Sequence, residues 1–62
     1  MCESTVYLMK DGNKIEFMKD VARVDVTDTG IVCYDIIGER KEAKNVKLKT
    51  ANLMNHSIIF TE

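Results

Sequence analysis

Apolar and polar positions alternate along almost the whole chain, in short bursts separated by turn residues. Thr5-Val6-Tyr7-Leu8-Met9 is rich in β-formers and runs into Lys10-Asp11-Gly12-Asn13, whose Asp-Gly pair is a hairpin signal. Ile15-Glu16-Phe17 alternates as a half-buried strand does. After Lys19-Asp20, Ala22-Arg23-Val24-Asp25-Val26 alternates again and puts Ala22, Val24 and Val26 on one face. Thr27-Asp28-Thr29-Gly30 reads as a turn, followed by the most apolar strand, Ile31 to Ile37. Gly38-Glu39 reverses the chain. Lys41 to Ala43 continues as strand, and Val46-Lys47-Leu48-Lys49 alternates once more. Asn55-His56 makes a turn before the last strand, Ser57-Ile58-Ile59-Phe60.

One stretch has two readings. Lys41 to Met54 admits an amphipathic helix, with Val46, Lys47 and Thr50 at helical spacing. Val46, Leu48 and Thr50 at period two, and the β-branched residues, favour strand. About six short antiparallel strands at turn spacings of about 8–12 residues predict an all-β fold, a small barrel or sandwich. A barrel would also remove the edges that invite aggregation. The 62 residues contain no proline, repeat or linker, so residues 1–62 form one domain.

A domain this short buries only roughly 60% of its unfolded surface and leans on a disulfide, a metal or a partner copy. Enzymes needing a large cofactor scaffold are excluded. Cys2 and Cys33 are the two cysteines, too few for a disulfide framework. Cys33, inside Ile31-Val32-Cys33-Tyr34, reads as a small buried hydrophobe. Cys2 stands at the chain terminus, where packing gives it little purpose. No apolar run approaches the roughly 20 residues of a membrane helix, and no basic region precedes an apolar stretch at the start. The expected compartment is the cytoplasm.

Catalytic constellations are scarce. His56 is the single histidine, and neither a Walker loop, a GxGxxG nor a CxxC pair occurs. The pattern points away from an enzyme. Net charge is −1, but unevenly placed. Residues 1–39 carry four basic against eight acidic side chains, whereas residues 40–62 carry five basic against two acidic. Arg40, Lys41, Lys44, Lys47 and Lys49 could track a phosphate backbone, which makes nucleic-acid binding the alternative function. Its weakness is the missing stacking platform, since no aromatic lies between Arg40 and Ile59. Alternating lysines also keep a strand's outer face wet and its edge unattractive.

The start of the chain carries more specific chemistry. A cysteine beside a free α-amine closes a five-membered chelate. With Met1 removed, the donors are the Cys2 amine, the Cys2 thiolate and the Glu3 amide nitrogen. With Met1 kept, they are the Met1 amine, the Cys2 amide and the Cys2 thiolate. Either set puts nitrogen and sulfur in one plane, which suits Ni(II) or Cu(II) and not Ca²⁺ or Mg²⁺. One chain supplies few side-chain ligands, so a two-fold dimer pairing two Cys2 residues would complete or strengthen the site.

Met1-Cys2-Glu3-Ser4-Thr5-Val6-Tyr7, Val21-Ala22-Arg23-Val24, Asp35-Ile36-Ile37-Gly38-Glu39-Arg40-Lys41 and Leu53-Met54-Asn55-His56-Ser57-Ile58 together resemble the CooT family. These are very small nickel-binding accessory proteins associated with carbon monoxide dehydrogenase maturation, also labelled predicted RNA-binding proteins. The resemblance spans almost the whole chain. It implies a small SH3-like β-barrel, a homodimer, and Ni(II) bound through Cys2, the one side-chain ligand that carries over; Glu3 joins the metal site only through the amide nitrogen described above. It also implies carbon monoxide dehydrogenase or its maturation proteins as partners. Gly38, Glu39 and Arg40 match the family pattern and read as a turn with a structural ion pair. His56 matches too, as a ligand or as a structural turn residue.

Overall fold

The computed structural model describes residues 3–62, in which six strands form: β1 (Ser4–Lys10), β2 (Asn13–Thr27), β3 (Gly30–Asp35), β4 (Arg40–Lys44), β5 (Lys47–Asn52) and β6 (Ser57–Thr61). The all-β expectation holds, and 47–52 is strand rather than helix. Asp11 and Gly12 both sit at positive φ, 52° and 80°, the geometry a two-residue hairpin of type I′ requires between β1 and β2. At the next turn the Thr27 hydroxyl oxygen accepts from the N–H groups of Thr29 and Gly30, at 3.3 and 3.1 Å.

The strands hydrogen-bond in the order β4-β3-β2-β1-β6-β5. Two expectations are corrected here. The sheet is mixed, not all antiparallel, because β1 and β6 run parallel, with Thr5 opposite Ser57 and Met9 opposite Thr61. The ladder is also open: β4 and β5 form its two edges, and it does not close into the expected SH3-like barrel. The chain nonetheless rolls. In a flat sheet those edges would lie about 24 Å apart, five strand spacings. Asn45 and Val46 alone link Lys44 to Lys47, and three peptide steps reach at most about 11 Å. The radius of gyration, 10.7 Å, matches the roughly 10.6 Å of a compact chain of this length.

The roll has a corner in β2. Two expected strands, Ile15–Phe17 and Ala22–Val26, are one strand of 15 residues bent at Asp20, whose φ is 56°. Its first part pairs with β1 and its second part with β3. Register shifts fall on both sides of the bend, between Ser4 and Val6 and between Val21 and Arg23. A strand that serves two layers turns between them by such irregularities. The shift also changes which side chain is buried: Val21 enters the core and Ala22 is exposed.

Val6, Val21, Ile31, Cys33 and Phe60 form the buried centre, drawn from β1, β2, β3 and β6. Leu8, Phe17, Met18, Val24, Ala43, Val46 and Ile58 pack around it. Cys33 is fully buried, as its apolar neighbours in sequence suggest, and burial pushes its thiol up to about 11. No helix among the described residues is long and apolar enough to cross a membrane.

Two outcomes follow from the packing. A Cβ at Gly30 would stand 2.0 Å from the Ala43 carbonyl oxygen, a backbone atom of the paired strand. Gly30→Ala is expected to lose roughly 1–3 kcal/mol in chemical denaturation with little change in slope, as overpacking does. Cys33 contributes a pH term of known sign. The unfolded thiol ionises near 9 and the folded one near 11, so the stability it gives below pH 9 drains away between pH 9 and 11. Cys33→Ala should remove that part of the alkaline slope, measured as the difference between the two proteins' denaturation midpoints across pH 8–11.

Candidate functional site

The parallel pairing decides what stands beside the start of the chain. An antiparallel β6 would bring the C-terminal end of the sequence there. The parallel one brings the β5–β6 turn, and the Thr5 N–H donates to the His56 carbonyl at 2.9 Å. His56 takes φ 53°, the left-handed conformation that swings the chain out of the turn and into β6. On the other side, Ser4 lies opposite Val21, next to the Asp20 corner. The Asp20 carbonyl accepts from the Ile36 N–H at 3.0 Å, which fixes the β3–β4 turn against the corner of β2.

Residue 3 therefore precedes β1 on the side of the β5–β6 turn, while the β3–β4 turn is held at the Asp20 corner of β2. Four adjacent strands, β3-β2-β1-β6, span about 14 Å. Both turns hold out large apolar side chains: Ile36 and Ile37 from one, Leu53 and Met54 from the other, the last 90% exposed. Turn chemistry asks for none of these residues at such positions. The sequence reading placed Ile36 and Ile37 in a strand, and the two apolar pairs beside Gly38 and Asn55 were the signal it left unused.

Asp35 explains why that strand stops short. One of its carboxylate oxygens accepts from the N–H groups of Ile37 and Glu39, at 3.0 and 2.9 Å. The Gly38 N–H donates to the Asp35 carbonyl, and Gly38 supplies φ 89°. The Gly38-Glu39-Arg40 stretch is thus a capped turn, as read, and Arg40 pairs with Glu42 at 3.1 Å across the start of β4.

Donors at this end are the Glu3 backbone and carboxylate and the His56 imidazole. Cys2 lies outside the described residues. Among the described residues no group of three or more His, Cys, Asp or Glu side chains converges. Cys33 is unavailable as a ligand, being enclosed in the core with its thiol protonated at neutral pH.

The basic segment is shared between the two edge strands β4 and β5. Arg40 lies opposite Tyr34 and is tied to Glu42, whereas Lys41 lies opposite the buried Cys33. The Lys41 side chain crosses to β2, donating to the Phe17 carbonyl at 3.0 Å with its ammonium 4.8 Å from the Phe17 ring. An inward-leaning lysine on an edge strand is a device against edge pairing, and here it ties the β4 edge to β2. Lys47 belongs to the other edge, opposite Thr61. Of the side chains offered for a phosphate backbone, Arg40 and Lys41 are engaged within the fold, and Lys44 and Lys47 flank the link that joins the two edges.

Comparison with known proteins adds to this geometry. The sequence matches the family model of CO dehydrogenase accessory protein CooT over residues 1–61. No curated protein matches it. Among solved structures it resembles one assigned to CooT from Carboxydothermus hydrogenoformans, at 24% identity and a TM-score of 0.86. That match covers 98% of this chain and 97% of the other, and it establishes a shared fold.

The lysines separate by role in a stability assay. Lys41→Ala is expected to cost about 1 kcal/mol through its lost hydrogen bond and cation–π contact. Lys44→Ala and Lys47→Ala should stay within about 0.5 kcal/mol of the parent. Equal effects from all three would remove the structural role given to Lys41.

Proposed function

The chain belongs to the CooT family of CO dehydrogenase accessory proteins, and on that premise we propose that it is a cytoplasmic carrier of Ni(II) that binds the ion through Cys2 at a homodimer interface. Nickel is the cargo. The Cys2 thiolate is the essential donor, joined by backbone or terminal nitrogen, with Glu3 contributing its amide nitrogen when residue 2 begins the chain. Nitrogen and thiolate donors in a plane match the preference of Ni(II). A terminal chelate exchanges its ion more readily than a closed cage, which suits a protein that hands metal on.

The reading is supported by the family match over residues 1–61 and by the hydrogen bond that holds the start of β1 beside the β5–β6 turn. Leu53 and Met54 in that turn, and Ile36 and Ile37 in the β3–β4 turn, are exposed apolar side chains that a second copy docked on them would bury. A two-fold interface repeats each contact, so it would bring two chain starts, and two Cys2 residues, to the same axis. The acceptor of the nickel belongs to the carbon monoxide dehydrogenase system.

Titration of tag-free protein with Ni(II) checks the assignment. Cys2→Ser should lose the thiolate-to-nickel charge-transfer absorption and stoichiometric binding while its far-ultraviolet spectrum stays that of the parent. Full affinity in this variant would rule out Cys2. Ile37→Asp combined with Met54→Asp should shift the native mass from dimer to monomer; an unchanged mass would move the interface elsewhere.

A further inference from the structure

We propose that the free edge of β5 is a docking site for an acidic, extended segment of a partner protein, which adds to the sheet as a further strand. This goes beyond the nickel reading and is independent of Cys2. β5 pairs with β6 on one side only, and all of its residues are exposed. Its outward N–H and C=O groups are a ready template for another strand. The apolar pattern also breaks off there. Ile15, Leu8, Phe60 and Leu48 form one row across β2, β1, β6 and β5. Phe60 is 3% exposed, but Leu48, opposite it and on the same face, is 57% exposed because no strand follows β5. A strand laid along β5 would cover Leu48 with an apolar residue of its own.

Charge selects the occupant. Lys47 lies opposite Thr61, on the outward face, and Lys49 lines the same outward hollow as Met9 and Thr61. Neither forms an ion pair among the described residues, and β5 carries no carboxylate. Glu62, next to Thr61, is held by Lys10 at 3.7 Å. The other edge differs: on β4, Arg40 is neutralised by Glu42 and Lys41 leans inward to Phe17. Two copies paired through β5 would set Lys47 and Lys49 against their own counterparts, and like charges on facing strands destabilise a ladder. The register shift between Leu48 and Thr50 further opposes indiscriminate pairing. A strand alternating acidic and apolar residues supplies backbone pairing, cover for Leu48 and partners for both lysines. Nucleic acid supplies only the last, since phosphate takes the lysines but brings no strand to the edge.

The probe is a short capped peptide alternating Glu and Val, titrated into isotopically labelled full-length protein and followed by amide resonances and hydrogen exchange. Its comparators are the same peptide with Lys for Glu, and a single-stranded oligouridylate. Shifts and exchange protection are expected across 47–52 with the Glu peptide only, weakening as salt rises. Lys47→Glu with Lys49→Glu should lower that affinity roughly tenfold or more and admit the Lys peptide instead. Lys47→Ala with Lys49→Ala should give a smaller loss in the same direction, and circular dichroism confirms the fold of each variant. Absent β5 shifts with the Glu peptide, equal binding of the Lys peptide, or parental affinity in both double variants overturns the proposal. A response to the oligouridylate alone would assign the lysines to nucleic acid, and β5 amides already protected in a peptide-free dimer would assign the edge to a second copy. Either result overturns it too. Cys2→Ser should bind the peptide as the parent does, so failure of the nickel reading leaves this one standing.

Discussion

Asn45 and Val46 are all that separates the strands at the two edges of the sheet, and the rest of the structure accommodates that short tether. A six-stranded ladder whose edges must meet at one end has to roll. Rolling lets the inner faces of β1 and β6 meet those of β2 and β3, so that Val6 and Phe60 share one core with Val21, Ile31 and Cys33. The bend at Asp20 and the register shifts around it absorb the curvature. The core is correspondingly small, as a chain of this length allows. At the β4 edge, the Lys41 side chain reaches over β3 to the Phe17 carbonyl and ring on β2.

The bend also decides what stands near the start of β1. The Thr5–His56 hydrogen bond joins that start to the turn that ends in His56, and the turn capped by Asp35 is held to the Asp20 corner. Each turn is anchored by backbone or carboxylate hydrogen bonds, so the apolar side chains it carries are presented on fixed supports.

Much of the fold was legible in the sequence. Asp11-Gly12 marked the first hairpin, Thr27 to Gly30 the second, and the apolar run through Cys33 the buried strand. The break at Lys19-Asp20 was visible too, but as an interruption, because local alternation cannot distinguish a loop from a strand that bends and continues. The direction of β6 was not legible at all. Pairing partners more than fifty residues apart leave no local trace, and hairpin signals alone bias the reading toward antiparallel order. The candidate site divides along the same line. Cys2 could be singled out from position and chemistry, whereas the relation of Ile36, Ile37, Leu53 and Met54 to the chain start depends on the parallel ladder and could only come from the structure.

That ladder also ties the order of synthesis to the order of assembly. β1 is the first strand to leave the ribosome and β6 the last, and their contacts have among the longest sequence separations in the molecule. Such distant pairings carry the largest loop-closure cost and form late. Until residues 57–61 are available, β1 has a partner on one side only. The Thr5–His56 hydrogen bond forms only once the last strand is added, so order at the start of β1 depends on the far end of the chain.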